Sequence, residues 1–352
     1  LIPDKEILMQ QALDHECERA SQAGLLHGAV LAAGRADTEP LLYAWGNASV
    51  EPERRGMTPD AIFDAASVTK AVATASACAV CIDEGRLDPD APAATYLPTL
   101  GGFGNTPVLV RHLATHSSGF DNRKFDKLPP DEMLRAMVEH PAQRAPTERF
   151  EYSCRNYVIL GLIVEQITGQ DLGTFCQQRV FTPTGMTDTA FGPLDEHPDR
   201  VVPTYVPAGT ISDEQARRAC RPIGNAGMFT TALDLARFCR MNLNGGMANG
   251  TRVLGEKALA WLLQPCSPPG LAQRSFGWDM RDHQESPCRP TRVSAAAIGH
   301  SGWTGQSVWI DPERGCFTVV LTNRTHEPGL ADNYDISKQF RSRIADLLIE
   351  DL

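Results

Sequence analysis

Strand-like runs lie near both ends of this 352-residue chain and helix-like patterns fill the middle, an arrangement that restricts the fold more than any other feature. A helix-like start, Asp4 to Ala23, precedes "HGAVLAAG" and "PLLYAWGNAS", two strand-like runs separated by a polar, Gly-containing turn. Strand signals return in "QSVWIDPE" and "CFTVVLTNR", and an amphipathic helix closes the chain from about Tyr334 to Ile349. From Ser67 to about Gln264 the pattern is mostly helical, broken by Pro/Gly loops, and includes "RNYVILGLIVEQITG", "DLGTFCQQRVF" and "TTALDLARFCRMNLNGG". In the last of these, Thr231 with Asp234 three residues on approximates a capping box. A polar stretch rich in Arg and Pro, residues 281–293, separates this middle from the returning strands. The pattern predicts an α/β (α+β) fold whose antiparallel sheet is built from the N- and C-terminal segments and flanked by helices. Residues 1–66 plus 290–352 would form the sheet lobe and 67–289 a mainly helical inserted lobe, one discontinuous unit with its site between the lobes.

Composition narrows the function. A hydrophobic fraction of 42% and a charged fraction of 22% are those of a globular protein. The formal net charge is −10 and no basic stripe is present, so nucleic acid is not an expected partner. The longest nearly uncharged stretch, Ala71 to Ile82, is too short and too rich in alanine to span a membrane. No signal-peptide pattern is present; a first residue of Leu1 fits prior removal of an N-terminal segment, and an extracytoplasmic site, periplasmic or secreted, is favoured with the cytoplasm as the alternative. Four of the ten cysteines, Cys78, Cys81, Cys176 and Cys239, sit in helix-like apolar patterns and read as core. Cys78-x-x-Cys81 falls mid-helix, away from the helix N-terminus that would stabilise a redox thiolate.

Chemistry concentrates in three stretches. In "DAASVTKAVATASACAVCIDEG" one of only six lysines, Lys70, follows Ser67 by three positions at the head of a helix running to about Glu84. Residues i and i+3 share a helix face, so hydroxyl and amine can touch. The positive helix N-terminus disfavours an ammonium and favours an oxyanion, which would push Lys70 toward the neutral form that accepts the Ser67 proton. By itself the pattern is equally an N-cap serine and a solvated lysine. In "RFEYSCRNYVILG", Tyr152 stands just before a helix, where a phenol beside a cation could share a proton with Lys70; an isolated Tyr is otherwise a core or rim residue. In "GHSGWTGQSVWID", His300-Ser301-Gly302 leads into a strand, and an amide near Trp303 could donate to an oxyanion. Among the remaining aromatics, Tyr157 and Trp278 read as core or rim and Trp303 as a pocket residue. His112 and His116, four apart, could hold a metal from one helix face, but no third ligand is near.

Together the three stretches resemble the serine β-lactamase and penicillin-recognising family, in its class C, esterase and DD-peptidase branch. That family carries Ser-x-x-Lys, Tyr-x-Asn and Lys/His-[Ser/Thr]-Gly in this order, matched here by Ser67/Lys70, Tyr152-Ser153-Cys154 and His300-Ser301-Gly302. "LDPDAPAATYLPTL", "VLVRHLATHSSGF", "VFTPTGMTDTAFGP", "NAGMFTTALDLARF" and "WIDPERGCFTVVLTNR" are similar to recurrent family segments, so the likeness runs from about residue 28 to 325. It implies a serine hydrolase acting through an acyl-enzyme on a small ester, amide or D-amino-acid peptide, with no metal or organic cofactor. Ser67, Lys70 and Tyr152 would be catalytic; Cys154, His300, Ser301, Gly302 and Trp303 would bind substrate; and the amides of Ser67 and Trp303 would form the oxyanion hole. His116, in "HSSG", would be a buried hydrogen-bonder. Two departures stand out. Cys154 replaces the usual Asn or Asp, a poor substitute in hydrogen bonding. His300 replaces the lysine that binds the carboxylate of penicillins and of D-Ala-terminated peptides in the lactamases and many peptidases; histidine there is similar to esterase-like and D-amino-acid peptidase-like members, so weak or no β-lactam turnover is expected. The alternatives are a non-catalytic penicillin-binding-like sensor and an acyl or peptidyl transferase of the same fold.

Overall fold

The computed structural model describes residues 5–350 and 352; the expected helix start at Asp4 lies outside them. The strands are β1 (Gly28–Arg35), β2 (Leu41–Ser49), β3 (Arg55–Gly56), β4 (Phe63–Asp64), β5 (Ala190–Phe191), β6 (Met228–Thr230), β7 (Met247–Ala248), β8 (Thr251–Arg252), β9 (Ile298–Ser301), β10 (Ser307–Asp311) and β11 (Cys316–Thr322). Six form one antiparallel sheet in the order β3-β2-β1-β11-β10-β9, so strands from the two ends of the chain meet at β1 and β11, as the sequence pattern predicts. Val30 lies opposite Leu321 on one side and Ala44 on the other.

Alternation along β1 explains why it has an apolar run rather than every second residue apolar. Ala29, Leu31 and Ala33 point to a core made with Leu13 and Cys17 of the Lys5–Gln22 helix and Phe340, Ile344 and Leu348 of the Tyr334–Glu350 helix. Val30 and Ala32 point the other way, into the core shared with Leu235 and Phe238 of the Ala232–Leu243 helix. Both faces are therefore dry.

The middle segment holds most of the remaining helices and two small sheets, β4-β6-β5 and β7-β8. Phe63 pairs with Thr230 and Asp64 with Phe229, so the chain joins the middle segment immediately before Ser67. The Cys154–Thr168 helix buries nine of its residues, Arg155 to Gly161 with Ile163 and Val164, and stops at Gly169, whose φ of +72° a residue with a Cβ would adopt only under strain.

Three local features differ from expectation. The helix after Ser67 opens with a π-helical turn, Lys70–Ala75, before the α-helix Ser76–Asp83; the Ser76 hydroxyl donates to the Ala71 carbonyl at 3.4 Å across this wider turn. At the Thr231 cap, Asp234 N–H reaches the Thr231 hydroxyl at 3.1 Å, but the Asp234 carboxylate does not close a capping box. It accepts instead from Asp188 N–H and the Thr189 hydroxyl, both at 2.8 Å, and pairs with Arg237. Finally, His300 and Ser301 lie on β9, the edge strand, rather than ahead of a strand; four residues including Gly, His and Ser carry too little alternation to reveal it. Among the described residues no helix is long and apolar enough to cross a membrane.

Candidate active site

Ser67 stands on a turn forced by its neighbours. Ala66 has a φ of +45°, unusual for a residue with a Cβ, and is held there by its N–H donating to Asp64 Oδ1 at 2.8 Å. The other Asp64 oxygen takes the Ser212 N–H at 2.7 Å. Val68 N–H then reaches the Ala65 carbonyl, Thr69 N–H and hydroxyl both reach the Ala66 carbonyl, and Lys70 N–H reaches that of Ser67. This winding begins the helix and puts Lys70, fully buried, beneath the serine.

Lys70 Nζ donates to three acceptors: Ser67 Oγ at 3.0 Å, the Asn225 carbonyl at 2.8 Å and Cys154 Sγ at 3.4 Å. It also lies 5.2 Å from the Tyr152 ring centre and 5.9 Å from that of Tyr157. A solvated surface lysine is thereby ruled out. Burial, the largest single influence, lowers the Lys70 pKa. The Cys154 and Tyr152 groups beside it more than offset this, and the net direction is upward. The net direction thus runs against the expectation of a lysine pushed toward its neutral form, and it is set by Cys154 and Tyr152 in their ionised forms. Tyr152 likewise rises, chiefly through burial of its phenol, with Lys70 pulling the other way. The two protons belong to one coupled pair.

His116 sets the place of Tyr152. The Glu151 N–H donates to the His116 carbonyl at 2.9 Å, Ser153 N–H to His116 Nδ1 at 3.1 Å, and the Tyr152 ring lies over the imidazole with centres 4.4 Å apart. Burial holds the imidazole well below its ordinary pKa, and Nε2 has no partner among the described residues, so the histidine is satisfied on one nitrogen only. His116 lies beyond the short Val110–Ala114 helix with φ +56°, so it shares no helix face with His112. No cluster of three metal-ligating side chains occurs among the described residues.

A second set of bonds brings the β9 end to the nucleophile. Thr304 and Gln306 side chains donate to the Asp64 carbonyl at 2.9 and 3.1 Å, and Gly302 N–H donates to the Gln306 carbonyl at 2.8 Å. Gly302 is buried: a Cβ there would come within 2.6 Å of the Ala65 carbonyl, so its role is to allow close approach rather than to line the cavity. The cavity, 470 Å³, has Ser67, Tyr152, Cys154, His300, Ser301 and Trp303 in its wall. Trp303 is 41% exposed and stands edge-on to Tyr205, whereas Tyr157 and Trp278 are fully buried core. His300 Nδ1 lies 3.0 Å from the Ser301 carbonyl, which can only accept, so Nδ1 carries the proton and Nε2 is the free acceptor. Burial, with Arg274 and Lys70 nearby, lowers the His300 pKa to about 3, so the imidazole is neutral. Cys78, Cys81, Cys176 and Cys239 are fully buried free thiols.

Sequence reasoning missed Asp64, which shapes the nucleophile turn, and Asn225, whose carbonyl holds Lys70. The second falls in "NAGMFTT", a segment whose family likeness was its only signal.

The sequence model of the family described as Beta-lactamase matches residues 15–339. A protein of Escherichia coli (strain K12) named "Putative D-alanyl-D-alanine carboxypeptidase" is 27% identical over 326 residues, spanning 81% of this chain and 74% of its own. Among solved structures, "A class C beta-lactamase" is similar with a TM-score of 0.78 and 17% identity, covering 100% of this chain and 98% of that one. "EstCE1, a hydrolase with promiscuous acyltransferase activity" is similar with a TM-score of 0.73 and 20% identity, covering 95% and 98%.

Proposed function

The chain belongs to the beta-lactamase family, and from that premise we propose that it is a serine hydrolase working through a covalent acyl-enzyme on Ser67, with ester or amide substrates that include D-amino-acid peptides. The observation that carries this reading is the 3.0 Å hydrogen bond between buried Lys70 Nζ and Ser67 Oγ in the wall of a cavity that Tyr152 also lines. Ser67 Oγ attacks the carbonyl carbon while its proton passes to whichever of Lys70 and Tyr152 has lost its own. The N–H groups of Ser67 and Trp303, neither engaged within the chain among the described residues, receive the oxyanion. The pair then protonates the leaving group. In the second half, Tyr152, with neutral His300 as acceptor, takes a proton from the water that releases the acid.

Poor β-lactam turnover is part of the proposal. A neutral His300 offers no charge to a penicillin carboxylate, and the thiol of Cys154 contacts Lys70 where an amide would bond more strongly. The names of the similar proteins support a peptide or ester substrate, and the promiscuous acyltransferase activity of EstCE1 supports an acceptor other than water.

The test is intact-mass analysis after exposure to a fluorophosphonate, a penicillin and short-chain p-nitrophenyl esters. We expect one adduct on Ser67 by peptide mapping, none on Ser67→Ala, and faster turnover of esters or D-peptides than of penicillin or a cephalosporin. An adduct on another serine would end the acyl-enzyme reading; a permanent adduct with every substrate would mark a sensor instead.

A further inference from the structure

One short segment ties the buried groups beneath Ser67 to the cavity surface. Ser212 N–H donates to Asp64 under the nucleophile turn, and the next residue, Asp213, reaches toward the base. Asp213 Oδ1 accepts from Asn225 Nδ2 at 3.2 Å and from Ala216 N–H at 2.9 Å, where it caps the Glu214–Arg218 helix. Asn225 is fully buried, and its carbonyl accepts from Lys70 Nζ at 2.8 Å. Asp213 thus stands one residue away from Lys70. The segment is itself fastened from outside: the Tyr205 hydroxyl donates to the Ser212 carbonyl, and Arg217 Nη1 donates to the carbonyls of Ile211 and Ser212.

The Asn225 side chain has little else to place it. Its Oδ1 finds no donor among the described residues, which is costly for a buried amide, so the bond to Asp213 is what fixes it. Asp213 also brings charge. It is half-buried in the cavity wall beside Ser67, Tyr152 and Cys154, and its Oδ2 accepts nothing among the described residues. The titratable groups that face Lys70 are Tyr152 and Cys154 at the start of the Cys154–Thr168 helix, His116 beyond the Val110–Ala114 helix, His300 on β9, and Asp213. Burial holds both imidazoles neutral. Of the groups left, the carboxylate of Asp213 carries a negative charge that neither a phenol nor a thiol carries before it loses its proton. That charge strengthens the hold of Lys70 on its own proton.

We propose that Asp213 is a positioning residue for acyl transfer: through Asn225 it fixes where Lys70 Nζ lies against Ser67, and it sets a negative charge beside the proton that Lys70 must give up. This rests on the hydrolase reading above, in which Lys70 or Tyr152 has to part with a proton before Ser67 can attack. The two contributions pull in opposite directions. Position favours acylation at every pH, whereas the charge delays it to higher pH.

The experiment separates them by stopped-flow acylation of the full chain with p-nitrophenyl acetate, from about pH 6 to about pH 9. Asp213→Asn keeps an acceptor oxygen for Asn225 and Ala216 and caps a helix about as well as aspartate, so it removes the charge alone. Its rate should rise with pH about half a unit earlier than that of the wild type, which makes it about threefold faster at pH 7. Asp213→Ala loses the hold as well and should be about tenfold slower than Asp213→Asn at every pH. Asn225→Ala cuts the link but leaves the charge, so its rate should fall without a shift of the profile. A residue that merely caps its helix would leave Asp213→Asn superimposable on the wild type. That result overturns the proposal, as does a profile for Asp213→Asn that lies below the wild type throughout, or Asp213→Ala acylating as fast as Asp213→Asn. If wild type is acylated at no pH, the hydrolase reading is what fails. Titration of the lysine Cε signals of the 13C-lysine-labelled full chain, with Lys70 assigned from Lys70→Arg, then decides the role of Asp213. Earlier loss of the Lys70 proton in Asp213→Asn supports it, and coincident curves overturn it.

Discussion

Strand β1 and the seam around Lys70 are buried to the same degree by opposite means. From Ala29 to Ala33 every β1 side chain is apolar and fully buried, and the strand is stabilised by apolar surface leaving water on both faces. The seam is as dry but polar: Asp64, Lys70, His116, Asn156 and Asn225 are all buried and come from four separate stretches; Lys70 bonds the Asn225 carbonyl, Asn156 lies 3.2 Å from His116 Nδ1, and Asp64 takes the Ala66 N–H. Burying such groups returns little net stability even when each is paired. The comparison teaches where change should be felt. Substitution in β1 should cost stability and spare chemistry; substitution in the seam should do the reverse.

The largest effect is expected at Lys70. Lys70→Arg keeps the charge but cannot give up a proton at any working pH, so acylation of Ser67 by an activated ester should fall at least ~10²-fold while circular dichroism stays that of the wild type. Tyr152→Phe should slow deacylation at least as much as acylation. In the wild type both members of the pair hold their protons more tightly than usual, so the acylation rate should climb with pH beyond neutrality, without levelling near pH 7. Stopped-flow acylation of Lys70→Arg at near wild-type speed would break the comparison, since the seam would then be no more than a packed polar core.

The same contrast explains what could be read from the sequence. Sheet strands and long helices declare themselves through local periodicity, and "HGAVLAAG" and "CFTVVLTNR" fall within a residue or two of β1 and β11. Ser67 and Lys70 were legible for a related reason: i and i+3 touch wherever a helix forms. Tyr152 and His300 stand out within their own stretches, but Cys154 is legible only through family resemblance, and only that resemblance joins the three to Ser67, because nothing local links them to it. Asn225, acting through its backbone carbonyl, depends on a contact between distant segments and leaves no mark on spacing. The upward direction of Lys70 is hidden from the sequence for the same reason. The helix end was visible in the sequence, but the thiol and phenol that outweigh burial were not.

A second effect sharpens the comparison from the other side. Leu31 is fully buried between β1 and the Lys5–Gln22 and Tyr334–Glu350 helices, so Leu31→Ala should lower unfolding free energy by about 2–5 kcal/mol, read from urea midpoints. Below its unfolding transition the variant should hydrolyse a short ester at close to wild-type kcat/KM. A loss of activity as large as that of Lys70→Arg, in protein still fully folded, would show that the sheet tunes the site rather than merely carrying it.

The smallest effect concerns acid and sets the seam against itself. Burial lowers His300 to about 3 and His112 to about 4, from an ordinary value of 6.5, and His116 falls well below that value too. Between those values and 6.5 the unfolded chain binds protons that the folded chain refuses, so stability is fully present above pH 6.5 and declines as pH drops, by up to about 1.4 kcal/mol per pH unit for each histidine. Asp64 and Asp234 act in the opposite sense: burial pushes both carboxyls up, so the folded chain takes their protons first and gains stability on acidification. Asp64 and Asp234 are common to wild type and to a single-histidine variant, so the difference between the two isolates the histidine from pH 6.5 down to about 5. Urea unfolding at several pH values in that window should give a dependence of free energy on pH that differs between wild type and His300→Gln by close to one proton, the wild type losing more stability with acid. Parallel slopes in the two proteins would mean that His300 already titrates in the folded state. The neutral imidazole assigned to the β9 end of the cavity would then be wrong, and with it the reason given for poor β-lactam turnover.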